Sequence, residues 1–205
     1  MIDIGFEWKR AHDYECVSTR GQKCIRAIGK GRDNLEPLKI ETEKPLYLRF
    51  ADLDGSEESC LRFARARGLL TTESPTGEET LETWQEQIQA MRQARAFFGP
   101  IGDLPAETAR KRRAGEAWKL TALDILLVPN RAEADRFTMM LQPRNLLGAM
   151  YVQLAMTVAG GGSLRTCKQC DKWFETGASD SRRNIAVFCS EKCKNRFHYL
   201  ERAKR

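Results

Sequence analysis

Four cysteines near the carboxy terminus, Cys167-x2-Cys170 and, after eighteen further residues, Cys189-x3-Cys193, constrain this 205-residue chain more than any other feature. Two cysteines separated by two residues can curl the intervening backbone into a knuckle that turns both sulfurs to one side. A second close pair, brought in from further along, completes a tetrahedron of thiolates, and zinc suits such a site with bonds of about 2.3 Å. Cys167, Cys170, Cys189 and Cys193 are therefore the expected ligands of a structural Zn2+, with an iron–sulfur cluster as the rival occupant. Ser190 is a good helix N-cap and would place Cys193 in the first helical turn, with the positive helix end facing the thiolates. Trp173, Phe174 and Phe188 are expected to pack around the metal as a miniature core. So short a segment buries too little surface to fold alone, and metal binding would contribute roughly 10–16 kcal/mol. A site closed by four thiolates leaves no position for water, which argues for a structural role and against catalytic zinc.

Charge is concentrated in the same segment. Residues 165–205 hold 11 Lys/Arg against 5 Asp/Glu, while the other 164 residues hold 23 of each, so the whole net charge of +6 lies here. Four thiolates and a divalent ion would reduce it to about +4. Residues 190–204 wind naturally as a helix. Cys193, Phe197 and Leu200 form the stripe expected to face the knuckle. Lys192, Arg196 and Tyr199 form a second stripe, and Lys194, His198, Arg202 and Arg205 a third. Outward stripes rich in Lys and Arg suit a phosphate-lined groove. The expected nucleic-acid contacts are Arg182, Arg183, Lys192, Lys194, Asn195, Arg196, His198 and Arg202, with Asn195, Arg196 and Arg202 able to reach base edges. A solubilising helix end is the plainer reading of the same cations.

Cys167-x2-Cys170 followed by Asp171, Lys172, Trp173 and Phe174, then Arg182-Arg183, Phe188-Cys189-Ser190 and Cys193-Lys194-Asn195-Arg196, resembles the CGNR-type zinc finger of bacterial regulators. That resemblance covers only the last forty or so residues. It implies a treble-clef-like module whose basic carboxy-terminal helix binds DNA. Lys194 stands where the motif has glycine, and the second cysteine pair is more closely spaced than in the motif. In the body, Phe50-Ala51-Asp52-Leu53 and Phe63-Ala64-Arg65-Ala66-Arg67-Gly68-Leu69-Leu70 resemble a group of bacterial proteins with the same kind of terminal zinc module.

The remainder reads as an α+β body over 1–160, with the zinc module over 161–205. Residues 1–50 are β-rich, with expected strands at 4–8, 14–17, 24–28 and 46–50 and turns at Gly21, Gly29-Lys30-Gly31 and Asp33-Asn34. Residues 56–100 are mainly helical: a short helix through Leu61 and Ala64 stopped by Gly68, then an amphipathic helix with the stripe Leu81, Trp84, Ile88, Met91, Arg95 and Phe98, stopped by Gly99-Pro100. The run Arg110-Lys111-Arg112-Arg113 suits a solvated helix face. Residues 116–159 read as a hairpin around 129–135 followed by a buried helix, although 106–127 could also form one helix. The segment Leu146–Ala159 is apolar on nearly every face, and Gly160-Gly161-Gly162-Ser163 supplies a stop and a hinge.

Composition narrows the function classes. With 41% hydrophobic and 30% charged residues, the chain has the make-up of a folded globular protein. The scattered Cys16, Cys24 and Cys60 do not form a disulfide framework, and no stretch has the length of a membrane span, so a cytoplasmic protein is expected. His12 and His198 are the only histidines, and neither is grouped into a catalytic arrangement. The leading expectation is a zinc-containing, non-enzymatic DNA-binding protein, a transcriptional regulator whose body senses a signal or forms a homodimer. RNA is open as the nucleic acid, because Trp173 and Tyr199 could stack on exposed bases. The alternative is a zinc-stapled protein-interaction adaptor, and an enzyme in the body is the third reading.

Overall fold

The computed structural model describes residues 2–4, 8–29, 35–38, 45–72, 77–100, 105–115, 122–129, 137–177 and 185–203. The fold is α+β, as the alternation of patterns implies, and it divides into two compact units. The first comprises residues 1–90 and 119–153, the second residues 91–118 and 154–205. This division does not follow the 160/161 boundary read from the glycine run, which lies inside the second unit.

In the first unit the strands β1 (Ile2–Ile4), β2 (Trp8–Ala11), β3 (Asp13–Thr19), β4 (Gln22–Ile28) and β5 (Leu35–Leu38) are followed by helices α1 (Leu46–Ala51) and α2 (Glu57–Arg67), then by β6 (Glu78–Thr80). β3 and β4 pair antiparallel, with Thr19 opposite Gln22, and β6 adds to the other edge of β4. The two-residue turn between β3 and β4 puts both Arg20 (φ 52°) and Gly21 (φ 82°) in the left-handed region, the combination that matches the twist of a tight hairpin. β2 pairs with β5 antiparallel.

The segment 46–50 is helical, not extended. Pro45 precedes it with φ −54°, and Leu46, Tyr47, Leu48, Phe50 and Ala51 are all buried, leaving Arg49 outward. An apolar run of five residues reads equally well as a buried strand or a buried helix turn, and tertiary packing chose the helix. Helix α2 begins where Ser56 Oγ accepts from Ser59 N–H (3.2 Å) and ends at Gly68 with φ 97°. Phe50, Phe63 and Trp84 form a three-ring cluster with centroids 5.3–6.2 Å apart. Glu79 on β6 is buried, and its carboxylate accepts from the backbone N–H groups of Leu70, Thr71 and Thr72 and from the Thr71 hydroxyl.

Helix α3 (Leu81–Phe97) starts in the first unit and ends in the second. Trp84, Ile88 and Met91 of its expected stripe are buried, and Leu81 and Phe98 are half-buried. Residues 106–113 form helix α4 (Ala106–Arg113), and β7 (Leu123–Pro129) pairs antiparallel with β8 (Phe137–Pro143). The expected hairpin is therefore present, and 106–127 is not one helix, since α4 ends at Arg113 and residues 123–127 are strand. β8 also takes β1 as a parallel neighbour. The expected turn at 130–135 lies outside the described residues, as do Lys30, Gly31, Asp33 and Asn34.

Helix α5 (Leu146–Ala159) has Asn145 at its start, whose Oδ1 accepts from Gly148 N–H (2.9 Å). Leu146, Leu147, Ala149, Met150, Tyr151 and Val152 are all buried, so this end of the helix is covered around its circumference, as its composition requires. Gly148 is required here: a methyl group in its place would collide with the Ala122 carbonyl oxygen. At the other end, Gly160 N–H bonds to Met156 O and Gly162 N–H to Thr157 O, with Gly161 left-handed at φ 78°. The glycine run therefore terminates the helix as its sequence implies.

In the second unit the chain then forms the hairpin β9 (Ser163–Thr166) and β10 (Trp173–Thr176), paired antiparallel with Thr166 opposite Trp173, and finally helix α6 (Glu191–Ala203). Met91, Ala94, Phe97, Leu154, Leu164 and Phe174 are buried in this unit.

Candidate metal centre

The β9–β10 hairpin and the first turn of α6 bring the four cysteines together, with all four sulfurs within 4.8 Å of one another. Cys170 Sγ lies 3.7 Å from Cys189 Sγ, which lies 3.5 Å from Cys193 Sγ. A tetrahedron of 2.3 Å metal–sulfur bonds has edges of about 3.8 Å, so these separations fit one ion at the centre. No histidine or carboxylate joins this group among the described residues.

Local backbone bonding explains why the sequence closes here. Cys167 N–H donates to Lys172 O and Asp171 N–H to Cys167 O (both 2.9 Å), folding residues 167–172 into a tight knuckle in which Asp171 has φ 56°. Lys168 N–H donates to Val187 O (3.0 Å), which carries the second pair to the first. Ser190 Oγ accepts from Cys193 N–H (3.2 Å), the N-cap expected from the sequence, and this sets Cys193 in the first turn of α6.

The electrostatics favour a cation. Cys167 is buried, which alone would raise its pKa, but N–H groups of Cys189, Gln169 and Cys170 hold it at about 6. One of these bonds is direct, with Cys189 N–H donating to Cys167 Sγ at 3.3 Å. Burial first, then the neighbouring sulfurs, pushes the Cys189 thiol up to about 12, and burial raises Cys170. One thiolate forms readily and further ones are opposed by desolvation and crowding. A divalent ion removes that opposition, because it is a larger local charge than any side chain nearby. An ion held by all four sulfurs keeps no open position.

The aromatic residues expected around the metal each have their own partners. Phe188 packs on Phe197 (5.2 Å) and His198 (6.0 Å), and Lys168 Nζ lies over the Phe197 ring at 5.0 Å. Phe174 is buried. Trp173 instead stacks under Arg95 of α3 at 4.9 Å, and Gly99 approaches its ring so closely that a methyl group there would meet it at 2.9 Å. Arg95, the one charged residue in the α3 stripe, is thereby buried at 8% exposure.

Helix α6 contains no buried residue. Lys192, Lys194, Asn195, Arg196, His198 and Arg202 are all exposed on it, and Lys194 also lies 3.5 Å from Glu191. Arg182 and Arg183 lie outside the described residues. Cys193 and Phe197 are half-buried on the inward stripe, but Leu200 is 41% exposed, contrary to the expected contact with the knuckle. Tyr199 is 72% exposed. The basic run 110–113 splits: Arg112 donates to the carbonyls of Phe97 and Gly99 at the end of α3, Lys111 pairs with Glu107 (3.2 Å), and Arg110 and Arg113 are exposed. Lys168 was not among the expected functional residues. Its place between two ligand cysteines is the signal that could have drawn attention to it.

No protein-family model, curated protein or solved structure matches this chain. Among the described residues no helix is long and apolar enough to cross a membrane.

Proposed function

We propose that this protein binds duplex DNA through α6, with Zn2+ in the four-cysteine site as a structural staple, and that it is a non-enzymatic bacterial transcriptional regulator of the cytoplasm. The observation that carries this reading is the pairing of a four-sulfur site at the root of α6 with a helix whose Lys192, Lys194, Arg196 and Arg202 are all exposed. The ligand spacing and the segment's resemblance to the CGNR-type finger support the same reading. Phosphate neutralisation by several cations gives an affinity that falls steeply with salt.

Gel shifts of the zinc-loaded protein on duplex and single-stranded probes test the proposal. Binding to duplex is expected to weaken by about tenfold or more between 50 and 200 mM salt. Arg196→Ala with Arg202→Ala is expected to weaken it further while zinc content stays unchanged. Salt-independent binding, or binding indifferent to both substitutions, rejects the proposal. Preference for single strands would move it to RNA or single-stranded DNA.

A protein-interaction adaptor is the second reading. Ile185 (75% exposed), Tyr199 and Leu200 are exposed apolar side chains of the module, which suit a protein partner better than phosphate. Recovery of one protein partner, insensitive to nuclease and to the two arginine substitutions, would establish it.

A further inference from the structure

Lys168 brings a cation to α6 from outside the helix. It sits in the knuckle between two ligand cysteines, and it is exposed. Both its ends are held. The backbone N–H donates to Val187 O at 3.0 Å, and Nζ lies 5.0 Å from the centroid of the Phe197 ring. That ring is itself packed against Phe188 at 5.2 Å, with His198 against both. Phe197 lies one helical turn beyond Cys193, so the ammonium lies beside α6 itself.

An exposed lysine ordinarily samples many rotamers, and ordering it against a ligand costs side-chain entropy. Contact with an aromatic face limits that freedom before any ligand arrives. The ring attracts the charge without accepting a conventional hydrogen bond, so the ammonium's three N–H donors can still reach oxygen acceptors. Among the described residues no ion pair includes Lys168, whereas Lys111 and Lys194 pair with Glu107 and Glu191. The helical neighbours of Phe197 are Cys193, Lys194, Leu200 and Glu201. Lys168 therefore adds a second cation where α6 itself offers one cation and one carboxylate.

We propose that Lys168 contacts a nucleic-acid phosphate, so that the knuckle and α6 grip the same backbone. This rests on the reading of α6 as a DNA-binding helix and extends that site to the β9–β10 hairpin. An ammonium is a compact point charge suited to a phosphate oxygen, and such a contact carries no sequence information. The rival role for the same charge is to offset the thiolates of the metal centre, and zinc affinity separates the two.

Binding of the zinc-loaded full chain to two duplexes of unrelated sequence, measured between about 50 and 200 mM salt, tests this. Lys168→Ala is expected to lower the slope of log affinity against log salt by about one, equally on both duplexes. Lys168→Arg is expected to keep the slope. Arg62→Ala, which removes one exposed cation from the first unit, is expected to leave it unchanged. Chelator competition is expected to give Lys168→Ala the zinc affinity of the unsubstituted protein. Duplex is also expected to protect the Lys168 amine from acetylation, read by mass spectrometry. An unchanged slope, a loss shared with Arg62→Ala, a loss confined to one sequence, an unprotected amine or a parallel fall in zinc affinity overturns the proposal. Indifference to Lys168→Ala alongside sensitivity to Arg196→Ala and Arg202→Ala defeats this contact alone. Salt-independent binding by the unsubstituted protein defeats the α6 reading with it.

Discussion

Cys167 and Cys189 are chemically unlike, although each supplies one sulfur to the same site. Cys167 is held at about 6 and Cys189 is pushed up to about 12. At neutral pH the metal-free centre therefore holds protons on Cys170 and Cys189 that an incoming ion must displace. Each displaced proton changes apparent affinity tenfold per pH unit, so these two alone are expected to raise zinc affinity by at least about a hundredfold from pH 6.5 to 7.5. Chelator competition at the two pH values measures it, and a flat profile would contradict the assigned ligands. In the metal-free fold the sign for Cys167 is the same. Its lowered pKa stabilises the fold above pH 9, and that stabilisation is lost as pH falls through 6. Burial and the neighbouring sulfurs raise Cys189, while N–H groups lower Cys167, among them Cys189 N–H from far along the chain.

At the scale of elements, α6 depends on its first turn. It buries no residue, so the cap at Ser190, the half-buried Phe197 and the cysteine at position 193 hold it. Ser190→Ala is expected to cost about 1 kcal/mol, read as a roughly fivefold loss of zinc affinity with the ligand set intact. An unchanged affinity would mean that the hairpin alone preorganises the site. The cap was legible because serine three residues before a ligand cysteine is a local pattern. The strand expected at 46–50 failed for the opposite reason. A five-residue apolar run carries no period long enough to distinguish the two structures, and α1 is buried on nearly every side. Leu200 was placed inward by helical spacing alone, yet spacing fixes which stripe a residue occupies and not how far the partner surface extends.

At the scale of the molecule, the hairpin and α6 share a unit with the ends of α3 and α5. Chelation is therefore expected to loosen residues 163–203 first, while the first unit, with its Phe50–Phe63–Trp84 cluster, retains its structure. Hydrogen exchange with and without chelator would show this as lost protection confined to the second unit. Uniform loss across both units would instead make the metal essential to the whole fold.

The amino-acid sequence by itself determined the four-cysteine group, the capped basic helix, the glycine stop after α5 and the α+β class. Each is encoded over a few residues, by spacing, capping or periodicity. Only the tertiary structure decided that Trp173 covers Arg95, that residues 46–50 are helical, and that Lys168 lies over the Phe197 ring. These depend on which surfaces meet across long separations in the chain, and no local pattern encodes a contact whose partner lies dozens of residues away.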